Sequence, residues 1–171
     1  MSLGFAPIWD ENSSVLILGS FPSVRSRAIG FYYGNKQNRM WKMLGEFFGE
    51  TVEDDTTSKI GFLKRHGIAM WDVVRQSGLR GSADASLRIS GPEEINDIGG
   101  FVEKSKIRAV LCNGKTAYSL LMNYCTMSVP VFCMPSTSPA NPRYRKEDWF
   151  LRLEAVGIKS CFSGEETKSE S

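Results

Sequence analysis

The chain has 171 residues, of which 42% are hydrophobic and 23% are charged, and its formal net charge at pH 7 is +2. These proportions are ordinary for a folded globular domain, and so small a charge neither identifies nor excludes a nucleic-acid binder, because local basic patches matter more than the sum. No apolar run approaches the roughly 18–20 residues that a membrane helix needs, and no secretion signal opens the chain, so we expect a cytoplasmic protein without a membrane partner.

Four short apolar runs are predicted to be strands. They lack alternation with polar residues, which is typical of parallel strands buried on both faces of a sheet. In chain order the runs are Val15–Leu18, Ile68–Trp71, Ala109–Cys112 and Val129–Met134.

Helical patterns lie between and after these strands. The alternation of strands and helices predicts an α/β fold with three layers, in which helices cover both faces of a four-stranded, mostly parallel sheet. One helix is expected to start at Pro92 and to be weakened or broken by Gly99-Gly100 before Phe101–Lys104. Three of the other predicted helices are Arg39–Phe48, Lys115–Tyr124 and Lys146–Ala155. A fourth is capped by Thr56-Thr57-Ser58, runs through about Arg65 and ends at Gly67.

The remaining segments are predicted to carry little regular structure. Arg75–Gly91 is rich in Gly, Ser and Arg and is expected to form a long surface loop, a kind of loop that often has a function. The charged, Ser-rich segment Gly164–Ser171 is expected to be a disordered tail that follows a single domain over residues 1–163. Met1-Ser2-Leu3 is given no role in the fold.

Metal and cofactor sites are not expected. The four cysteines form no C-x-x-C pair, and reduced, mostly buried thiols are the simplest interpretation. Two of the cysteines lie within strand-like runs, which argues against an iron–sulfur cluster. His66 is the only histidine, so a Ser-His-Asp triad is excluded unless His66 is its base. A phosphate-binding P-loop is also excluded, because Ala109 stands where the motif before Gly114 needs a glycine.

Two loops follow predicted strands and are rich in small polar residues: Gly19–Ser23 and Pro135–Asn141. Because ligands bind at the carboxyl ends of parallel strands, we expect both loops to border one site. The second loop could be a rigid turn, but Arg143 and Arg145 follow it and favour contact with phosphate.

Between the two loops lie the aromatic run Phe31-Tyr32-Tyr33 and Asn38. The aromatic residues could belong to the core, but they lie outside any regular period and could stack on a flat ring. Asn38 directly precedes a predicted helix, so it could be an N-cap, a catalytic residue or both.

Five segments, taken in order, resemble the uracil-DNA glycosylase superfamily, and most of all its DNA-deoxyinosine (hypoxanthine-DNA) glycosylase branch. That branch relies on an asparagine in the pattern H-P-x-N-x-F-W, and the asparagine falls on Asn38. This chain departs from the pattern, with Asn35 and Lys36 in place of His-Pro and Met40 in place of Phe. Like the deoxyinosine branch, it has no acid in the first loop. The five segments are Leu16–Ser23, Phe31–Trp41, Gly67–Val74, Cys112–Ala117 and Met134–Asn141.

The resemblance implies a monofunctional DNA glycosylase of base-excision repair that hydrolyses the N-glycosidic bond of hypoxanthine, uracil or both. We therefore expect an enzyme without a cofactor that acts as a monomer on DNA containing deaminated bases. Asn38 would be catalytic, with its carbonyl positioning water and its amide stabilising the departing base. Base-binding residues would be Ser20, Phe31, Tyr33, Asp72 and Asn113, where Asp72 could instead orient the loop. DNA-binding residues would be Ser23, Ser136, Thr137, Ser138, Asn141, Arg143 and Arg145.

Two alternatives stay open at this point. The same fold could recognise damaged or single-stranded DNA without cleaving it, or it could hydrolyse free nucleosides or nucleotides. An open groove flanked by basic side chains would favour DNA over a free nucleoside.

Overall fold

The computed structural model describes residues 2–77 and 89–163, and its centre is a parallel sheet of four strands. The sheet has the order β3-β2-β5-β6, and every neighbouring pair is parallel. A second sheet pairs β1 with β4 in antiparallel fashion. The strands are β1 (Ser2–Leu3), β2 (Val15–Gly19), β3 (Ile68–Asp72), β4 (Gln76–Ser77), β5 (Ala109–Asn113) and β6 (Val131–Met134).

Helices cover both faces of the large sheet, so the expected three-layer α/β fold is confirmed. Alternate side chains of β2 face opposite layers: Val15 and Ile17 pack into one buried cluster, and Leu16 and Leu18 pack into the other. The first cluster takes in the apolar faces of α2, α3 and α6, and the second takes in those of α4 and α5. The helices are α1 (Val24–Ile29), α2 (Met40–Phe48), α3 (Thr56–Arg65), α4 (Ile98–Glu103), α5 (Lys115–Tyr124) and α6 (Lys146–Ala155), with a 3₁₀ turn at Pro92–Glu94.

The predicted break at Gly99-Gly100 is wrong, because α4 runs through both glycines. Asp97 caps this helix, and its carboxylate accepts a hydrogen bond of 3.0 Å from Gly100 N. The tertiary packing of Ile98 and Val102 in the core outweighs the low helix propensity of glycine. Pro92 begins only the short 3₁₀ turn, which ends before Ile95.

Other differences concern short elements and caps. Asp55, rather than the Thr-Thr-Ser run, caps α3, and its Oδ1 accepts a hydrogen bond of 2.7 Å from Ser58 N. The N-terminal segment that had no predicted role forms β1, which pairs with the start of the predicted loop Arg75–Gly91. The rest of that loop, 78–88, and the predicted tail 164–171 lie outside the described residues.

The cysteines are free thiols, but they are less buried than expected. Cys112 is buried on β5, whereas Cys133 and Cys161 are exposed and Cys125 is half-buried. Cys133 is exposed because β6 is an edge strand of the sheet. No helix of the described chain is long and apolar enough to cross a membrane.

Candidate active site

A cleft of about 880 Å³ opens at the carboxyl ends of the four parallel strands. Each strand contributes its last residue or the loop after it, as parallel α/β sheets lead one to expect. The structure thus brings together polar residues from separate strand ends and one from the turn before α2. The strand-end residues are Ser20, Asp72, Asn113 and Ser136, and the residue before α2 is Asn38.

The first loop packs closely against the acid at the end of β3. A Cβ atom on Gly19 would overlap Asp72 Oδ1 and would lie 3.1 Å from the Tyr33 hydroxyl oxygen. Only glycine therefore lets the carboxylate and the phenol border the loop at this point. Val73 N and Val74 N donate to the carbonyls of Gly19 and Ser20 over 2.8 and 2.9 Å, which holds the loop against β3.

Asp72 is the one acid among the described residues that line the cleft. Its side chain is buried, with 4% of the residue exposed. Its backbone carbonyl accepts a hydrogen bond of 2.8 Å from Asn96 Nδ2, which fixes the end of β3. This position fits both roles expected from the sequence, reading a base edge or orienting the first loop.

Ser20 and Ser23 occupy different positions in the first loop. Ser20 is buried at the cleft wall. Ser23 is the N-cap of α1, and its Oγ accepts a hydrogen bond of 3.0 Å from Ser26 N. Ser23 borders the cleft while serving as this cap.

The three consecutive aromatic residues have different surroundings. Phe31 is 7% exposed and stacks on Trp41 inside the core, with ring centroids 6.0 Å apart. Burial raises the pKa of the Tyr32 phenol, whose hydroxyl donates to Ala6 O over 2.7 Å. Tyr33 lines the cleft and has a positive φ of 50°. Of the two expected stacking residues, Phe31 packs in the core and Tyr33 faces the cleft.

Asn38 closes a tight turn and borders the cleft. Asn38 N donates to Asn35 O over 2.9 Å, and Asn35 Oδ1 accepts from Gln37 N over 3.0 Å. The turn therefore forms with Asn35-Lys36 in place of His-Pro. Asn38 Oδ1 accepts from Met40 N over 3.0 Å, which ties this side chain to the first residue of α2 while it lines the cleft. The N-cap position itself is occupied by Arg39 and not by Asn38.

A second hydrogen bond to Asn38 comes from the loop after β6. Thr137 Oγ1 donates to Asn38 Oδ1 over 2.8 Å. The Asn113 side chain contacts Thr137 twice: Nδ2 donates to Thr137 Oγ1 over 2.9 Å, and Oδ1 accepts from Thr137 N over 3.0 Å. Thr137 is completely buried, so its expected contact with DNA does not fit the position of its side chain.

Hydrogen bonds from Trp149 and Arg39, together with one bond inside the loop, fix the conformation of the loop Pro135–Arg143. Trp149 Nε1 donates to Pro135 O over 2.8 Å. The Arg39 guanidinium donates to the carbonyls of Ser138 and Asn141, the latter over 2.9 Å, and stacks 4.1 Å from the ring centroid of Tyr144. Within the loop, Asn141 Nδ2 donates to Ser136 O over 2.9 Å.

Positive charge lies along the cleft and near it. Lys115, at the start of α5, and Arg143 line the cleft, and Arg145 is exposed at the start of α6. His66 lies elsewhere: it caps the end of α3 just before β3 begins, where it stacks on Phe48 at 3.7 Å and bonds to Glu50. It is therefore at the amino ends of the strands and cannot serve as a base in the cleft.

Phe21, Lys115 and Arg39 are among the residues of the site that were not predicted. Phe21 and Lys115 line the cleft, and Arg39 supports the loop Pro135–Arg143, which borders it. The position of Phe21 directly after a strand could have indicated it. The sequence holds no signal that Arg39 points inward, because that depends on carbonyls about 100 residues away.

Within the described residues, no group of three or more His, Cys, Asp or Glu side chains is arranged to hold a metal ion. Cys133 is exposed on the edge strand and borders the cleft, and desolvation by neighbouring protein atoms raises the pKa of its thiol.

Comparisons with known proteins point to one superfamily. Residues 6–155 match the profile of the Uracil DNA glycosylase superfamily. A Hypoxanthine DNA glycosylase of Methanosarcina acetivorans is 37% identical over 153 residues, which cover 85% of this chain and 94% of the relative. A Hypoxanthine DNA glycosylase of Methanosarcina barkeri is 32% identical over 151 residues, with the same coverage of 85% and 94%. The solution NMR structure of a candidate uracil DNA glycosylase from Methanosarcina acetivorans superposes with a TM-score of 0.74 at 34% identity, covering 90% of this chain and 97% of that one.

Proposed function

The chain belongs to the uracil DNA glycosylase superfamily and is a DNA glycosylase, and we propose that its main substrate is hypoxanthine in DNA. The names of the two Methanosarcina relatives support this substrate, since each aligns over nearly its whole length. Uracil is a second substrate of the same chemical kind, because both bases arise by deamination and carry an N–H beside a carbonyl.

The reaction sets two physical tasks. The bond between C1′ of the deoxyribose and the base nitrogen breaks, and both of its electrons leave with the base. The oxygen of a water molecule then bonds to C1′, the water loses a proton, and the base gains one. The protein must therefore stabilise negative charge on the departing base and admit a water to C1′. Fixed neutral dipoles in a site that excludes bulk water can lower such a barrier by several kcal/mol.

The observation that carries the proposal is the position of Asn38. Its carboxamide oxygen is held by two hydrogen bonds at the wall of the cleft, as a group acting on a transition state must be. The target base leaves the helix stack to enter the cleft, which costs roughly a few kcal/mol, less at a mismatch. Tyr33 and Phe21 border the cleft and supply stacking surfaces for the extruded base.

Base recognition is assigned to the residues around the first loop. The Asp72 carboxylate is an acceptor for the N–H of hypoxanthine or uracil, and Ser20 lies beside it at the cleft wall. Adenine offers no ring N–H at the corresponding position, so an acceptor here disfavours the undamaged base. The bare ring nitrogen of adenine is itself an acceptor and would face the carboxylate without a proton between them, which weakens binding and gives this contact its selectivity.

DNA rather than a free nucleoside is the proposed partner. The cleft is open and bears the side chains of Lys115 and Arg143, whose charges suit phosphate groups. The loop that includes Ser136, Ser138 and Asn141 borders the same cleft and is supported by Arg39 and Trp149. All of these residues come from one chain, so we propose that the protein acts on DNA as a monomer.

Base release from defined duplexes tests the proposal. Labelled duplexes with one hypoxanthine, uracil or xanthine are incubated with excess protein, and abasic sites are then cleaved with alkali. We expect alkali-dependent cleavage at hypoxanthine and no strand cleavage before alkali is added, since the enzyme is monofunctional. A duplex with adenine at the same position is the control.

Other results would favour the alternatives. Tight binding to the hypoxanthine duplex without any alkali-labile site would indicate a recognition module. Cleavage of free deoxyinosine with no action on the duplex would indicate a nucleoside hydrolase. Either result would overturn the proposed function.

A further inference from the structure

Thr137 is a completely buried polar residue that connects two parts of the site. It lies in the loop after β6 and hydrogen-bonds to Asn113 at the end of β5 and to Asn38 before α2. The contacts among these three residues, here called the Asn113–Thr137–Asn38 relay, join segments 24 and 99 residues apart in sequence.

Two backbone N–H groups, those of Thr137 and Met40, fix the direction of every hydrogen bond in the relay because they can only donate. Thr137 N can only donate, so the atom of Asn113 that faces it is Oδ1, and Asn113 Nδ2 faces the Thr137 hydroxyl. The hydroxyl therefore accepts from Asn113 and turns its own proton toward Asn38. Met40 N can also only donate, so the atom of Asn38 at which both bonds meet is Oδ1.

These directions assign both acceptor positions of the Asn38 carbonyl oxygen to protein donors. Its carbonyl oxygen has two lone pairs, and the Met40 amide and the Thr137 hydroxyl occupy both. The second polar atom of the carboxamide, Nδ2, carries two N–H donors, and Asn38 lines the cleft.

We infer that Asn38 acts as a hydrogen-bond donor to the departing base and not as the acceptor that positions water, and that Thr137 and Asn113 are positioning residues for this donor. The inference rests on the proposed function, because it assigns a direction to the side chain that the glycosylase reaction uses. It also revises the expected division of labour, in which the Asn38 carbonyl would hold the water.

This arrangement suits the charge that develops in the reaction. The base becomes an anion as it leaves, and a fixed N–H donor stabilises an anion. The relay aligns the donor before the substrate arrives, so little reorganisation is needed in the transition state. Removing a donor of this kind slows an enzymatic step by about 10²–10³-fold.

The variant Asn38→Asp separates the two roles. An aspartate at this position keeps an oxygen for the Met40 amide and the Thr137 hydroxyl, but it replaces the N–H donors with a second oxygen. We expect the single-turnover rate on the hypoxanthine duplex to fall by about 10²–10³-fold, at least as far as in Asn38→Ala. A rate for Asn38→Asp close to that of the wild type would overturn the donor assignment, because a carboxylate can hold a water but cannot donate.

A double-mutant cycle tests the positioning role of Thr137. Thr137→Val removes the hydroxyl and keeps the shape, and it should slow base release by about 10-fold while leaving duplex affinity unchanged. Thr137→Ser keeps the hydroxyl and should restore the rate. In an Asn38→Ala background the change Thr137→Val should have no further effect on the rate, because Thr137 acts only through Asn38. Equal effects in both backgrounds would contradict the relay.

An NMR measurement tests the relay without any catalysis. In spectra of ¹⁵N-labelled protein, Thr137→Val should shift the side-chain amide signals of both Asn38 and Asn113, and Thr137→Ser should return both toward their wild-type positions. If only one of the two signals moves, the three residues are not connected as described. If both move and the wild type releases no base, the relay stands and the proposed function fails.

Discussion

Arg39 directly follows the proposed catalytic residue, yet the structure gives it an internal role. Its guanidinium donates to the carbonyls of Ser138 and Asn141 and stacks on Tyr144. Hydrogen bonds from a charged donor contribute about 1.5–3 kcal/mol each when buried. Because Arg39 is only half-buried, we expect Arg39→Met to lower the free energy of unfolding by about 2–3 kcal/mol.

Urea denaturation and DNA binding across salt concentrations together test this role. For a chain of this size, a loss of about 2–3 kcal/mol in the free energy of unfolding corresponds to a fall in Tm of about 4–12 °C. The denaturant slope should not change. The slope of log affinity against log salt should stay as in the wild type, because the charge of Arg39 contacts carbonyls and not phosphates. Arg143→Met, at the exposed end of the same loop, is the matched control: it should leave stability within about 0.5 kcal/mol and reduce the salt slope. If Arg39→Met kept full stability and reduced the salt slope, the reasoning would be refuted.

Three further changes have distinct expected results. Arg143→Ala combined with Arg145→Ala should weaken binding to hypoxanthine and normal duplexes alike and reduce the salt slope by about 1.8; a wild-type titration curve would show that both are ordinary solvated charges. Tyr33→Ala should slow base release by about 5- to 150-fold through lost stacking, whereas Phe31→Leu should lower stability by about 1–2 kcal/mol and spare the rate; the reverse pattern would exchange their roles. Gly19→Ala should slow base release by about 10-fold or more in a single-turnover assay, because the added methyl displaces the acid and phenol beside it; an unchanged rate would show that their placement does not matter.

The sheet could be predicted from sequence because its strands are short, wholly apolar runs with helical patterns between them. The predicted strands match the observed ones to within two residues, and α3, α5 and α6 keep their expected extents. Convergence of the strand ends on one cleft follows from the parallel topology alone, so Ser20, Asp72 and Asn113 could be placed together before the structure was known.

Short and glycine-containing elements were harder to predict. Helix α1 has only one buried residue, Ser26, so it shows no apolar periodicity. Helix α4 contains two consecutive glycines and depends on core packing that propensity does not include. Strands β1 and β4 are two residues each and exist only through their pairing.

Roles within the site depended on contacts between distant segments. Phe31 and Tyr33 are two residues apart, and their sequence neighbours do not distinguish them. Phe31 is buried because it stacks on Trp41, whereas the Tyr33 hydroxyl lies beside Gly19 at the cleft. Thr137 was expected on the DNA surface because it stands among serines and prolines. Its burial reflects bonds to Asn38 and Asn113, which no local pattern reveals.

The central claim is that Asn38 acts on base release within a DNA glycosylase cleft. The most direct test measures single-turnover release of hypoxanthine from a duplex by the wild-type protein and by Asn38→Ala, together with the affinity of each for the same duplex. The account predicts release by the wild type, a rate about 10²–10³-fold lower in the variant, and affinities that differ by less than about threefold. Equal rates for the two proteins, or no release by the wild type at saturating concentration, would contradict it.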